Sequence, residues 1–490
     1  MRHDIRFLRR GHEVRLSSFS PTLTLLDYLR LQERAVGTKE GCAEGDCGAC
    51  TVVVRRLVEG RVRYELRNSC IVLAGQADGC DVITVEDLAN GELHPVQQAM
   101  VDSHGSQCGF CTPGFVMALF GLYHTPRETP LDRTAVNDWI AGNLCRCTGY
   151  RPIVDAALSS CVSPARDRFS DEDAAVALKL AAMTGDVFAG TPDRFFAAPA
   201  SVESFAALYL DHPDAILVSG ATDVGLWITK QLRDIPKIIW LGRAQGLAHV
   251  DEAADAVTFG AGVTHEDAAP HLARIDPDLG ELMRRFASVQ VRSIGTIGGN
   301  IANGSPIGDT PPALIALGAT LALQRGGLLR ELPLEDFFIS YGKQDRVRGE
   351  FVRSVRVPKL KAGEYFRCYK ISKRFDQDIS AVMGAFRFTV KGPHVTSARI
   401  AFGGMAATPK RALNAEEKLA GADLRLSSDW QAAIDALAQD FSPIDDARGS
   451  AAYRRHVAGA LLSKALTEIA GVPSGATRVT GIREVADAAG

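Results

Sequence analysis

Hydrophobic positions change their period several times along this chain, and each change marks a new kind of structure. Near the start, Ile5 and Phe7 alternate with polar neighbours, as do Val14 and Leu16 beyond Gly11, which predicts a hairpin. Leu25, Leu26 and Leu29 then recur at helical spacing and predict a helix over 24–32. The β-branched runs 51–54 and 81–85 read as strands. From about residue 90 the period turns helical, with prolines as punctuation. Pro95, Pro113 and Pro152 each open an apolar-periodic run, since a proline's missing N–H would be unpaired in a first helical turn anyway. A fourth run over 131–141 completes a predicted bundle of four short helices.

Beyond these, residues 163–192 are charged and Ala-rich, and are expected to form a partly helical linker. From 193 the texture is α/β with Gly-rich turns. A last segment from 363 carries strands near 381–390 and 398–402 and helices near 412–420, 428–440 and 450–470. No internal repeat or low-complexity tract interrupts the pattern. The expected architecture is therefore α+β and multidomain. Its boundaries are 1–88 for a small mixed domain, 89–162 for the helical one, 163–192 for the linker, and 193–362 and 363–475 for the rest.

Composition narrows the class. Hydrophobic residues make up 46% and charged residues 23%, an ordinary globular balance. A formal net charge of −3 gives no reason to expect nucleic acid or an anionic membrane as partner. The start, Met1-Arg2-His3-Asp4, is polar, so no secretory leader is expected. The longest apolar stretch, 115–123, falls short of the roughly 20 residues that span a bilayer. The expectation is a cytoplasmic protein.

Cysteine changes the picture most. Nine of the 11 cysteines precede residue 150, and only Cys161 and Cys368 follow. Disulfides have little place in a reducing compartment, so such clustering points to metal or redox chemistry. Cys42-x4-Cys47-x2-Cys50, with Cys70 further on, has the plant-type spacing of a [2Fe–2S] ligand set. Gly41, Gly45 and Gly48 let the loop bring N–H groups close to the sulfurs. Four thiolates would also satisfy a structural zinc ion, although zinc ribbons use paired short knuckles rather than three thiolates in one Gly-rich loop. Cys108-x2-Cys111 and Cys145-x-Cys147 form a second set, each pair just ahead of a Pro-opened helix. There the helix dipole and free N–H groups stabilise anionic sulfur. A CxxC alone would also suit a thioredoxin-like pair, which the matching CxC makes unnecessary. Cys80, Cys161 and Cys368 stand alone and read as small buried hydrophobes.

The runs Glu40-Gly41-Cys42-Ala43-Glu44-Gly45-Asp46-Cys47-Gly48-Ala49-Cys50-Thr51, Gln107-Cys108-Gly109-Phe110-Cys111-Thr112-Pro113-Gly114 and Gly142-Asn143-Leu144-Cys145-Arg146-Cys147-Thr148-Gly149-Tyr150 resemble the xanthine oxidase family of molybdenum hydroxylases. The resemblance implies a ferredoxin-like β-grasp domain and a four-helix [2Fe–2S] domain, with the helical cluster nearer the molybdopterin. It also implies that Gln107 approaches the pterin, although the residue reads equally as a surface amide.

No Gly-x-Gly-x-x-Gly follows a predicted strand, so a Rossmann dinucleotide site is not expected. A different device is present. Leu217-Val218-Ser219-Gly220-Ala221-Thr222-Asp223-Val224 reads as a strand, a Gly-containing turn and a helix, able to aim N–H groups at a pyrophosphate. Thr296-Ile297-Gly298-Gly299-Asn300 offers a second such turn. Both resemble the FAD-pyrophosphate loops of the family's vanillyl-alcohol-oxidase-type flavin domain, which is followed by a C-terminal α+β domain. The same resemblance places Phe286 near the flavin ring, gives Asp309, Val352 and Lys370 FAD contacts, and makes the stretch after Lys370 a loop flanking the flavin. Arg374 and Asp376 in that loop would otherwise be an ordinary solvated charge run.

The resemblance runs from about residue 4 to 470, and the family's molybdenum-binding half is not expected in this chain. It implies a small subunit with two [2Fe–2S] clusters and FAD, joined to a molybdopterin-containing large subunit, two of each. Its implied reaction is hydroxylation of hypoxanthine and xanthine in the partner, with electrons leaving through FAD to NAD⁺. No residue of this chain is then catalytic for the hydroxylation. Aldehydes, carbon monoxide or N-heterocycles remain open as substrates, as does a stand-alone redox carrier.

Overall fold

Arg10 and Gly11 both take positive φ, 51° and 76°, as a two-residue hairpin turn of the I′ kind requires. They join the antiparallel strands Ile5–Arg9 and His12–Leu16. In this computed structural model, which describes residues 1–127 and 129–478, the chain divides into two compact units. The first comprises Met1–Gln245 with Ala287–Gly295, and the second comprises Gly246–Phe286 with the chain from Thr296 onward.

The first unit opens with a five-stranded sheet. Its order is His12–Leu16, Ile5–Arg9, Cys80–Ile83, Thr51–Val58 and Arg61–Asn68. Only the pairing of Ile5–Arg9 with Cys80–Ile83 is parallel. The predicted helix over 24–32 forms as Leu25–Asp27 followed by a π turn, Tyr28–Gln32, with Thr24 accepting the N–H of Asp27. Leu25, Tyr28 and Leu29 pack with Ile5, Phe7 and Val54, giving the β-grasp its core.

Four helices follow, three where the prolines predict them and one within the run 131–141: Pro95–Asp102, Thr112–Tyr123, Arg133–Ile140 and Arg151–Cys161. Thr112–Tyr123 is apolar all round, and its stretch from Gly114 to Tyr123 is wholly buried. Such a helix belongs at the centre of a bundle. The stretch expected as a linker is ordered. Asp167 caps the helix Arg168–Ala181, whose Val176 and Leu180 pack with Leu8 and Met183. A four-stranded sheet completes this unit, in the order Val187–Thr191, Arg194–Ala198, Lys237–Trp240 and Ile216–Val218.

The second unit holds two larger antiparallel sheets, beside the two-stranded pair Phe338–Ser340 and Lys343–Gln344. The first runs Val250–Glu252, Ala256–Gly260, Phe351–Pro358, Thr320–Arg325 and Leu328–Pro333. The second runs Glu364–Ile371, Val382–Lys391, His394–Gly403 and Lys410–Arg411. Against the latter pack Leu413–Leu419, Ser428–Asp440 and Ala451–Ile469 around Phe386, Phe402 and Leu462. One expectation changes here. The stretch 296–300 is not a free turn but the start of the helix Ile297–Asn303, because Thr296 Oγ1 accepts the N–H of Gly299 at 3.0 Å. No helix among the described residues is long and apolar enough to cross a membrane.

Candidate functional site

None of the eleven cysteines is paired in a disulfide. Cys42, Cys47 and Cys50 lie on one irregular loop, and Cys70 follows the strand Arg61–Asn68. Cys50 and Cys70 are buried with their sulfurs 3.2 Å apart. Cys42 Sγ accepts N–H groups from Glu44 and Cys47, each at 3.4 Å. The thiols of Cys47 and Cys70 also donate to Cys42 and hold it well below the usual thiol range, while both donors are pushed up. Gly41 is needed for this crowding, since a Cβ there would lie 2.8 Å from Cys47 Sγ. Four sulfurs converging under backbone donors are a soft-metal set.

The second set sits at two helix starts. Cys111 is the N-cap of Thr112–Tyr123, and Cys145-Arg146-Cys147 precedes Arg151–Cys161. Burial, and then the neighbouring Cys145 thiol, push Cys111 up to about 12. Burial opposes ionisation of Cys145 as well, but the hydroxyl and N–H of Thr148, at 3.1 and 3.4 Å, outweigh it and lower its pKa. Tyr150 Oη accepts the N–H of Cys145 at 2.9 Å. Cys108 and Cys147 are exposed, as are Gln107 and Phe110 beside them.

The two sets touch through backbone. Leu144 N–H donates to Cys47 O at 3.0 Å, and Leu144 is the residue before Cys145. Gly48 makes this approach possible: its φ is +67°, and a Cβ there would stand 2.3 Å from Gly142 O. Hence Gly48 spaces both cysteine loops.

The first-unit turn behaves as its sequence predicts. Strand Ile216–Val218 leads through 219–223 into the helix Val224–Thr229. Gly220 packs so closely on the backbone of Ile294 that a Cβ would lie 2.1 Å from its carbonyl oxygen. The helix also reaches the first cysteine loop, where Thr229 Oγ1 donates to Ala43 O at 2.7 Å. In the second unit, Asp309 and Lys370 come together although 61 positions apart, with Lys370 Nζ 2.6 Å from Asp309 Oδ2. Ser380 completes the group, accepting from Lys370 at 2.9 Å and donating to Asp309 Oδ1 at 2.5 Å. Asn300 joins through Thr310, whose hydroxyl donates to its side-chain oxygen at 2.6 Å. Phe286 is half-buried with its ring 4.6 Å from that of His265. Val352 is buried in the strand Phe351–Pro358, opposite Leu323.

Comparison with known proteins follows this layout along the chain. Residues 10–75 match the 2Fe-2S iron–sulfur cluster binding domain and 84–158 the [2Fe-2S] binding domain. Residues 191–360 match the FAD binding domain in molybdopterin dehydrogenase, and 367–469 the CO dehydrogenase flavoprotein C-terminal domain. Xanthine dehydrogenase of Emericella nidulans is 33% identical over 93% of this chain and 38% of its own length. Xanthine dehydrogenase/oxidase of Rattus norvegicus is 30% identical over 90% of this chain and 37% of its own. Among solved structures, a chain of carbon monoxide dehydrogenase from Hydrogenophaga pseudoflava is 30% identical, with a TM-score of 0.53. That match covers 56% of this chain and 97% of the other. The chain belongs to the xanthine oxidase family of molybdenum hydroxylases.

It carries the family's two [2Fe–2S] domains and its FAD domain, and spans little more than a third of the length of the curated relatives it matches. A chain of quinoline 2-oxidoreductase from Pseudomonas putida 86 is similar in fold to part of this chain, with 25% identity and a TM-score of 0.52 over 57% of this chain and 97% of that one. The family's domains contain both cysteine sets, and the sulfur geometry suits the clusters for which the domains are named.

Several residues escaped the sequence reading. Ser380 gave no signal, since a lone serine acquires meaning only beside Asp309 and Lys370. His94, His124 and Asp167 also converge, the two imidazole Nε2 atoms lying 2.9 and 3.1 Å from Asp167 Oδ2. They do not form a metal centre. His94 Nδ1 accepts the N–H of Val96 at 3.2 Å, so its Nε2 carries the proton, and a metal there would demand an imidazolate. The group is a hydrogen-bonded knot, and Asp167 Oδ1 also accepts the N–H of Ser170 at 2.9 Å.

Proposed function

We propose that this chain is the iron–sulfur/FAD subunit of a bacterial xanthine dehydrogenase. In this reading a molybdopterin-containing large subunit hydroxylates hypoxanthine to xanthine and xanthine to urate. The small subunit conducts the electrons to NAD⁺, in a cytoplasmic assembly of two small and two large chains. Clusters supply one-electron steps, and FAD collects pairs for hydride transfer to NAD⁺. The residues of this chain hold and tune these groups. Cys42, Cys47, Cys50 and Cys70 ligate one cluster, and Cys108, Cys111, Cys145 and Cys147 the other. Leu217 to Val224, Phe286, Thr296 to Asn300, Asp309, Val352 and Lys370 contact FAD, and Gln107 faces the pterin.

One observation carries the order of transfer. The loop of the second set bonds to Cys47 through Leu144, and the first loop is bonded in turn, through Ala43, to the helix that follows the 217–224 turn. The exposed second set then receives electrons, the first relays them, and FAD discharges them. Relatives named xanthine dehydrogenase favour purines. The solved carbon monoxide dehydrogenase and quinoline 2-oxidoreductase chains favour a second reading, the same electron-transfer role beside a different molybdenum site.

The test uses the native assembly. Subunit masses should identify a molybdenum partner, and the assembly should reduce NAD⁺ with xanthine. In Cys145→Ser a hard oxygen replaces a soft thiolate. With molybdenum content confirmed, purine-dependent NAD⁺ reduction should collapse while NADH still reduces FAD and an artificial acceptor. Near-normal purine turnover in that variant would overturn the order. Turnover of carbon monoxide or quinoline, with none of xanthine, would select the second reading.

A further inference from the structure

Gln290 has no exposed surface and lies on the short helix Val289–Arg292, within the segment Ala287–Gly295 that belongs to the first unit; its sequence, like residues 191–245 of that unit, falls in the FAD-domain match. In sequence, this segment runs directly between Phe286 and Thr296. It is docked by Ser293, whose hydroxyl donates to Leu66 O at 2.6 Å, and by Val289 in the core of the helical bundle.

The polarity of the contacts around Gln290 is fully determined. Gly48 O is a carbonyl and can only accept, so Asn143 presents Nδ2 to it, at 3.0 Å. Asn143 Oδ1 therefore faces away and needs a donor, which Gln290 Nε2 supplies at 2.8 Å. Gln290 Oε1 is then left against Gly142 and finds no hydrogen-bond donor among the described residues. An orphaned buried acceptor costs stability and calls for a reason. The reason lies one residue away: Asn143 immediately precedes Leu144, whose N–H bonds to Cys47 O.

We infer that Gln290 and Asn143 are positioning residues, a buried amide pair that fixes the Cys47–Leu144 contact and so sets electron exchange between the two cysteine sets. The inference rests on the iron–sulfur reading above. An electron crosses bonded atoms and short hydrogen bonds far more readily than a gap, so holding that one contact closed controls the coupling. The FAD-domain sequence supplies the outer half of the pair, and the relay is complete only when its segment is docked.

Gln290→Glu in the assembled enzyme turns an acceptor toward Asn143 Oδ1. Iron, sulfide and flavin should stay at wild-type levels. The spin–spin splitting between the two reduced clusters should change, and rapid-freeze EPR should show their electron exchange slowed relative to the wild type. Gln290→Met fills similar space without a buried charge and serves if the Glu variant loses iron. Ser293→Ala removes the hydroxyl's bonds to Leu66 O and to the Gln290 main-chain carbonyl but leaves both side-chain amides, and should lower thermal stability without slowing exchange. Unchanged exchange and splitting in an iron-replete Gln290 variant would overturn the inference. So would iron loss in both Gln290 variants, or equal slowing in Ser293→Ala. A wild-type protein without two cluster signals would overturn the iron–sulfur reading itself.

Discussion

The two cysteine sets lie in one unit and offer the same kind of atom, yet their surroundings differ. Cys50 and Cys70 are 1% and 3% exposed and pack with Leu26 and Ile71, so half of the first set is seated in a core while Cys42 and Cys47 are part-exposed. The second set is built on helix starts at the surface, where Cys108 and Cys147 are exposed, together with Phe110 at 48% and Leu144 at 40%. A sealed redox group exchanges electrons only through its protein surroundings, whereas an exposed one can meet a centre on another chain. The difference in burial is what the proposed order, interior relay by the first set and outer contact by the second, rests on.

The strongest way to break this comparison is to damage each set in turn. Cys50→Ser removes a ligand and puts a hydroxyl into an apolar pocket, so it should abolish the first cluster and also lower the melting temperature markedly. Cys147→Ser should remove about half of the iron while leaving the melting transition nearly unchanged. Iron analysis beside calorimetry checks both, and equal stability losses would erase the distinction.

Gly48→Ala attacks the point where the two loops meet. A left-handed backbone at φ +67° and a Cβ 2.3 Å from Gly142 O should together cost about 2–4 kcal/mol. Denaturant unfolding measures the loss, and a change under about 0.5 kcal/mol would mean that the loops separate easily.

Next in size is Asp167→Asn, which tests whether the helical region leans on its buried polar knot. Burial opposes ionisation of Asp167, but His124, His94 and the N–H of Ser170 outweigh it and hold the carboxyl well below the usual range. Its stabilisation is thus present above the unfolded value of about 4 and fades as pH falls toward the folded one. The variant should lose about 1–3 kcal/mol at neutral pH and show a flatter acid limb. An identical acid limb in both proteins would remove Asp167 from that account.

The smallest effect sharpens the comparison most. Tyr150→Phe deletes the hydroxyl that accepts the N–H of Cys145, at a stability cost of about 1 kcal/mol. The potential of the second cluster should shift while that of the first stays put. A redox titration followed by EPR separates them, and parallel shifts would show that the sets are not tuned independently.

Much of this was legible before the structure. Alternation around Gly11 located the first hairpin, and Pro95, Pro113 and Pro152 marked three helix starts, because these signals act on the local backbone. Cysteine spacing grouped the sulfurs for the same reason. The helix Arg168–Ala181 was legible only as a partly helical linker, since its charged surface resembles a solvated connection and its few apolar residues matter only against Leu8. The glycine pair at 298–299 suggested a turn, whereas a threonine cap and close packing on Ala261 carry it into a helix.

By itself, then, the sequence determined what short-range chemistry can dictate: element type, cap and turn positions, and which sulfurs share a loop. Tertiary structure alone decided the long-range partners. It brought Ser380 to Asp309 and Lys370, seated Gln290 against Asn143 across 147 positions, and placed residues 287–295 in the iron–sulfur unit. The physical reason is that a hydroxyl or an amide is satisfied by any correctly placed donor or acceptor. Its partner is therefore chosen by packing, and no local pattern records that choice.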